Sequence, residues 1–178
     1  MELEDNPHLL VKNGVVQMTD GTLFLRQKLG AQRQFDYLQK KLEVTQDFMT
    51  SFNRNVEMSQ AYCSNKNISY LHVIFPAKPV AFRKRFESIG VHISPIVNEF
   101  YLSNLNVYYP RLEEIREDWF IKDNTHCSYL GYFSVIKDVV ARVGVNISGY
   151  SYTLHEKEVL GDLGRMIGSS PLSSKYIK

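Results

Sequence analysis

Ile68-Ser69-Tyr70-Leu71-His72-Val73-Ile74-Phe75-Pro76 is a nearly continuous apolar run rich in β-branched and aromatic residues. It lacks the strict polar and apolar alternation of a half-exposed strand, so it predicts a strand covered on both faces and, from that, a parallel sheet. Pro76-Ala77-Lys78-Pro79 closes the run. Lys78 then falls at the strand's carboxyl end, where open α/β sheets place their ligand crevice.

Upstream, Phe35, Leu38, Leu42, Met49, Phe52, Val56 and Cys63 recur at spacings of three and four, with Thr45 and Ser59 filling the gaps. Residues from about 34 to about 64 therefore read as one or two amphipathic helices. Before them, Met18-Thr19-Asp20-Gly21-Thr22-Leu23-Phe24-Leu25 reads as an Asp-Gly turn feeding a short buried strand. Downstream, a short helix is expected at 81–88, a charged helix started by Pro110 near 110–117, and a clear amphipathic helix over 127–144, with Gly144 as its stop. Tyr150-Ser151-Tyr152-Thr153-Leu154-His155 alternates like an exposed strand, and a short turn or helix follows from Gly161. The divisions expected are a lead-in at 1–17, a domain at 18–168 and a polar loop-like tail at 169–178.

The chain has 178 residues, 44% hydrophobic and 22% charged, enough for one domain with a sizeable core. A net charge of +2 gives no argument for nucleic acid, and the densest basic cluster, Arg83-Lys84-Arg85, reads as a solvated helix face. No apolar run approaches the roughly 20 residues that span a bilayer, so an integral membrane protein is not expected. Met1-Glu2-Leu3-Glu4-Asp5 is acidic where a signal peptide is basic, which fits a cytoplasmic chain. Cys63 and Cys127 make no disulfide framework, and no His, Cys, Asp or Glu set has zinc spacing, so neither metal nor cofactor is expected.

The stretch with chemical content is Trp119-Phe120-Ile121-Lys122-Asp123-Asn124-Thr125-His126-Cys127-Ser128-Tyr129-Leu130-Gly131. A polar turn there opens the 127–144 helix and puts His126 at a helix N-terminus. The exposed N–H groups and positive dipole end disfavour imidazolium, so His126 is a candidate general base. Asn124 or Asp123 can hold its other ring nitrogen and fix the tautomer. The plainer reading is a histidine beside its own N-cap, Thr125. Lys78 is read as a solvated residue closing its strand or as a substrate contact. Cys127 is read as a small packing residue.

Four segments in order resemble the SGNH hydrolase-like domain of the alginate O-acetylation enzymes and their exopolysaccharide and capsule relatives. Asp20-Gly21-Thr22-Leu23-Phe24-Leu25 is similar to the family's Gly-Trp-Leu-Phe-Leu motif, with threonine for tryptophan. Tyr70 to Lys78 resembles the strand ending in Pro-x-Lys, Lys122 to Gly131 the Asp-x-His segment with its following glycine, and Gly161-Asp162-Leu163-Gly164 a segment that often comes next. The likeness covers residues 20 to about 170.

That resemblance implies a three-layer α/β/α sandwich with a mainly parallel sheet. It implies an O-acetyltransferase, or acetyl esterase, acting on a surface polysaccharide in the periplasm. A serine would attack the acetyl donor or the group carried by a donor protein, His126 would take its proton, and an acid would orient His126. Here Asn124 stands where the family has aspartate, with Asp123 one residue away, and Lys78 stands at the matching Pro-x-Lys position as a candidate substrate-binding residue. The family's nucleophilic serine lies in a later Gly-Asp-Ser turn, whereas Gly161-Asp162 is followed by Leu163, and Ser169, Ser170, Ser173 and Ser174 lack a strand, turn and helix context. The domain is therefore expected to be incomplete at its C-terminal side and to self-associate through an unpaired sheet edge. The alternative expectation is a non-catalytic domain of the same fold that binds glycan or a partner of the assembly machinery.

Overall fold

The computed structural model describes residues 3–26, 34–95, 106–147, 149–170 and 172–177. It opens with an antiparallel meander of β1 (Leu9–Lys12), β2 (Val15–Met18) and β3 (Leu23–Leu25). Asn13 and Gly14, both at positive φ (51° and 75°), make the two-residue turn between β1 and β2. So the expected lead-in at 1–17 already holds two strands, and Asn-Gly between apolar residues was the signal for them. The second turn is the expected Asp20-Gly21, with Gly21 at φ 83°.

Because successive strand side chains face opposite ways, this small sheet is covered on both faces. Val16, Met18 and Phe24 enter the main core, while Val15 and Leu23 pack with Leu163. In the main core Phe24 meets Phe35, Phe82 and Phe86 edge-on. Such aromatic pairs are worth about 0.5–1.5 kcal/mol each beyond their buried area.

The long periodic segment forms two helices, α1 (Gln34–Leu38) and α2 (Gln46–Ser64). Lys40 at φ 57° ends the first turn region, and Thr45 caps α2 by accepting from the Phe48 N–H. Then follow β4 (His72–Val73), α3 (Lys78–Ala81), α4 (Arg83–Ser88), β5 (Val107–Tyr108), a 3-10 turn (Glu117–Trp119), α5 (Tyr129–Arg142), β6 (Leu154–Val159), α6 (Asp162–Ile167) and β7 (Leu172–Ile177).

The expected three-layer α/β/α sandwich with a mainly parallel sheet does not form. Among the described residues parallel pairing is confined to His72 opposite Val107 and Val73 opposite Tyr108. The other sheets, β1-β2-β3 and β6-β7, are antiparallel. The reason lies in the 68–76 run itself, where only part of the backbone finds a ladder partner. Leu71, Val73, Ile74 and Phe75 are half-buried against the core and Ile68 is exposed. Side chains from an irregular segment can cover a core without a sheet being built beneath them.

Three smaller expectations also fail in whole or part, the first being the strand at 150–155, of which only Leu154 and His155 belong to β6. Residues 110–117 form turns leading to the 3-10 segment rather than a charged helix. The loop expected at 169–178 contains β7, which pairs along β6 from Leu154 opposite Ile177 to Val159 opposite Leu172. No helix among the described residues is long and apolar enough to cross a membrane.

Candidate functional site

The segment 119–128 is a closed loop built around one ammonium group. Its neck is the bridge between Phe120 and Cys127 and the Ser128 N–H donating to the Trp119 carbonyl (2.7 Å). Gly131 lets α5 rest on Trp119, since a Cβ there would stand 2.6 Å from the Trp119 carbonyl oxygen. Inside the loop, Lys78 Nζ donates to the carbonyls of Ile121 (2.6 Å), Lys122 (2.8 Å) and Asn124 (3.1 Å). Nζ also lies 5.2 Å from the centroid of the Phe24 ring.

Lys78 is thus 5% exposed rather than solvated, it opens α3 rather than ending a strand, and it is among the residues that line the cleft described below. Three carbonyls take three ammonium hydrogens, a fit that a neutral amine with two hydrogens lacks. Burial pulls its pKa down to about 7, while the carboxylates of Asp123, Asp162 and Asp20 hold it up.

Asp123 is fully buried and ties the loop to α6. Its Oδ2 accepts from the Gly161 N–H (2.6 Å), and its backbone carbonyl accepts from the Leu163 and Gly164 N–H groups (3.1 and 3.2 Å). Those amides are the orphan donors of the α6 start, so Asp123 caps a helix from across the molecule. Gly161 and Gly164 are required by this contact, because a Cβ on Gly161 would collide with the Asp123 carbonyl and one on Gly164 would stand 2.8 Å from Oδ2. Asp123 Oδ1 and the Ser169 hydroxyl are buried without a hydrogen-bond partner.

His126 is exposed. Its helix begins only at Tyr129, with Ser128 as the N-cap accepting from the Gly131 N–H, so the expected position at a helix N-terminus beside an N-cap Thr125 is corrected. What holds the ring is Asn124. Its Oδ1 accepts the His126 backbone N–H (2.9 Å) and lies 2.8 Å from Nδ1. A backbone N–H can only donate, which fixes that amide atom as oxygen and Nδ1 as the protonated ring nitrogen. Nε2 is left bare, with no hydrogen-bond partner among the described residues. Asn124, not the buried Asp123, orients His126.

Asp162, the first residue of α6 and distant in sequence from His126, completes the turn. Its Oδ1 accepts from the Thr125 N–H (2.9 Å) and its Oδ2 from the Thr125 hydroxyl (2.6 Å), while that hydroxyl lies 3.1 Å from His126 Nδ1. Burial pushes the Asp162 carboxyl up, but hydrogen bonds from Thr125 and Leu163 and the nearby His126 outweigh it and hold it below the ordinary 3.8.

Beside the turn, a cleft of about 410 Å³ is lined by Phe75, Pro76, Phe120, Thr125, Cys127 and Tyr132 among others. Phe75 and Tyr132 meet there at 4.8 Å between ring centroids. Burial pushes the Cys127 thiol up to about 11, which keeps it protonated and a poor nucleophile. Two members of the basic cluster are spent internally, Arg83 donating to the Val80 and Leu112 carbonyls and Arg85 pairing with Asp20 and Glu117, while Lys84 is exposed. Among the described residues no group of three or more His, Cys, Asp or Glu is placed to hold a metal ion.

No known protein family, curated protein or solved structure matches this chain.

Proposed function

We propose that this chain is an O-acetyltransferase or acetyl esterase domain acting on a surface polysaccharide, with His126 as the general base. The observation that carries the reading is the held ring: Nδ1 is fixed by Asn124 and Nε2 is bare at an exposed turn beside an aromatic cleft. It is supported by the convergence of the four segments that resemble the acetylation enzymes. The β3 amide of Leu23 donates to the Lys122 carbonyl, Lys78 fills the loop, and Asp123 and Thr125 bind Gly161 and Asp162.

No serine hydroxyl among the described residues is bonded to Nε2. The step the chain's own residues can perform is removal of a proton from a hydroxyl, of the sugar acceptor or of water, as it attacks an acetyl carbonyl. With a bacterial exopolysaccharide as acceptor, the work would lie in the periplasm and the acetyl group would come from a small donor or a donor protein.

The test is turnover of an acetyl ester and of an acetylated alginate-type oligosaccharide, with His126→Ala expected to abolish both. Equal turnover in wild type and variant would remove His126 from the chemistry. A second reading, a non-catalytic glycan-binding domain, is favoured by the Phe75 and Tyr132 rings in the cleft. Oligosaccharide binding by calorimetry without turnover, lost on Tyr132→Ala, would select it.

A further inference from the structure

We propose that Asp162 is a positioning residue for His126, supplying through the Thr125 hydroxyl the negative charge that Asn124 does not carry. The proposal rests on reading His126 as a general base. An amide orients an imidazole but cannot balance imidazolium, and in the serine protease template the Asp-to-Asn change costs roughly 10⁴-fold in kcat. The geometry offers a replacement one hydrogen bond further out.

Asp162, held ionised by its partners, can only accept. The single hydrogen of the Thr125 hydroxyl therefore points to Asp162 Oδ2 at 2.6 Å, and the oxygen's lone pairs are free to accept from His126 Nδ1–H at 3.1 Å. Nδ1–H is thus shared between Asn124 Oδ1 and Thr125 Oγ, and the second path ends on a carboxylate. When Nε2 takes a proton from an attacking hydroxyl, the ring becomes imidazolium, Nδ1 keeps its hydrogen, and Thr125 keeps its own. No proton passes to Asp162, whose charge opposes the one that has formed.

The other charged groups of this corner are already committed. Asp123 is buried with Oδ2 on the Gly161 amide, Lys78 is spent on three carbonyls, and Asp20 accepts from Thr22 and pairs with Arg85. Lys122 is exposed and reaches only Asp20, at 4.0 Å. Among the described residues no other carboxylate has a hydrogen-bonded path to the ring.

The coupling is measurable without turnover, by following the Asp162 side-chain carboxyl by carbon NMR through acid pH in the full chain. Its midpoint should move to higher pH in His126→Gln and in Thr125→Val, and return towards wild type in Thr125→Ser. Movement in Thr125→Val with none in His126→Gln would make Asp162 a cap of the turn only and overturn the proposal. Should Thr125→Val fail to fold, His126→Gln, at an exposed position, and Thr125→Ser still decide it. With an acetyl ester, Asp162→Asn should lower kcat about tenfold at unchanged KM, the order expected for loss of one nearby charge. A moved carboxyl midpoint in a chain without turnover would overturn the acyl-transfer reading and leave the coupling standing, whereas unchanged kcat in an active chain would overturn the positioning role.

Discussion

The floor of the 119–128 loop and its rim are made from neighbouring residues with opposite duties. Asp123 is fully buried, with its Oδ2 and backbone carbonyl spent on α6, while Asn124, Thr125 and His126 face outward and bind one another and Asp162. The floor is paid for by charge taken out of water. The rim keeps its charge where it can act. Adjacency in sequence says little about role in a turn that gives the carbonyls of Ile121, Lys122 and Asn124 to a lysine while the side chains of Asn124, Thr125 and His126 form the rim.

The sharpest way to break this contrast is at Lys78. Lys78→Met would strand three buried carbonyls and leave Asp123 without its facing cation, for a loss of about 3–5 kcal/mol in urea unfolding. A loss below about 1 kcal/mol would mean that the loop is not built on the ammonium. Next in size, Gly161→Ala should cost about 1–3 kcal/mol, because its Cβ meets the Asp123 backbone rather than a movable side chain. Its thermal midpoint would fall with it, and an unchanged midpoint would show that α6 docks otherwise.

At the rim the same measurements should barely move. His126→Ala is expected to stay within about 0.5 kcal/mol of wild type in urea while acetyl-ester turnover disappears. The smallest effect is a pH effect. The Asp162 carboxyl lies below its ordinary value, so the folded chain binds fewer protons than the unfolded one there. Its contribution is complete above about pH 4 and is lost as the pH falls further, so Asp162→Asn should flatten the acid limb of stability measured by denaturant unfolding.

Much of the local structure was legible. The Asp-Gly turn, the 3.6-residue stripe of α2 and the apolar face of α5 are local patterns, and each formed about where its residues indicate. The Asn13-Gly14 hairpin rests on an equally local pattern, two residues that tolerate positive φ between apolar runs. The site was legible in part. His126 and Asn124 lie together as their spacing suggests, but Asp162, 36 positions further on, joins them only through folding. Its only sequence signal was the pair of glycines around it, Gly161 and Gly164, which marks a place where another backbone comes close.

By itself, then, the sequence determined the elements whose cause is near at hand: turns set by left-handed residues, helices set by an apolar period, and a histidine beside an amide. Tertiary structure alone decided that the 68–76 run makes two residues of strand instead of a sheet, that Lys78 is buried, and that Asp123 faces inward while Asn124 holds the ring. Each of these depends on which distant carbonyl, amide or charge arrives to satisfy a polar group leaving water, and periodicity along the chain carries no record of that partner.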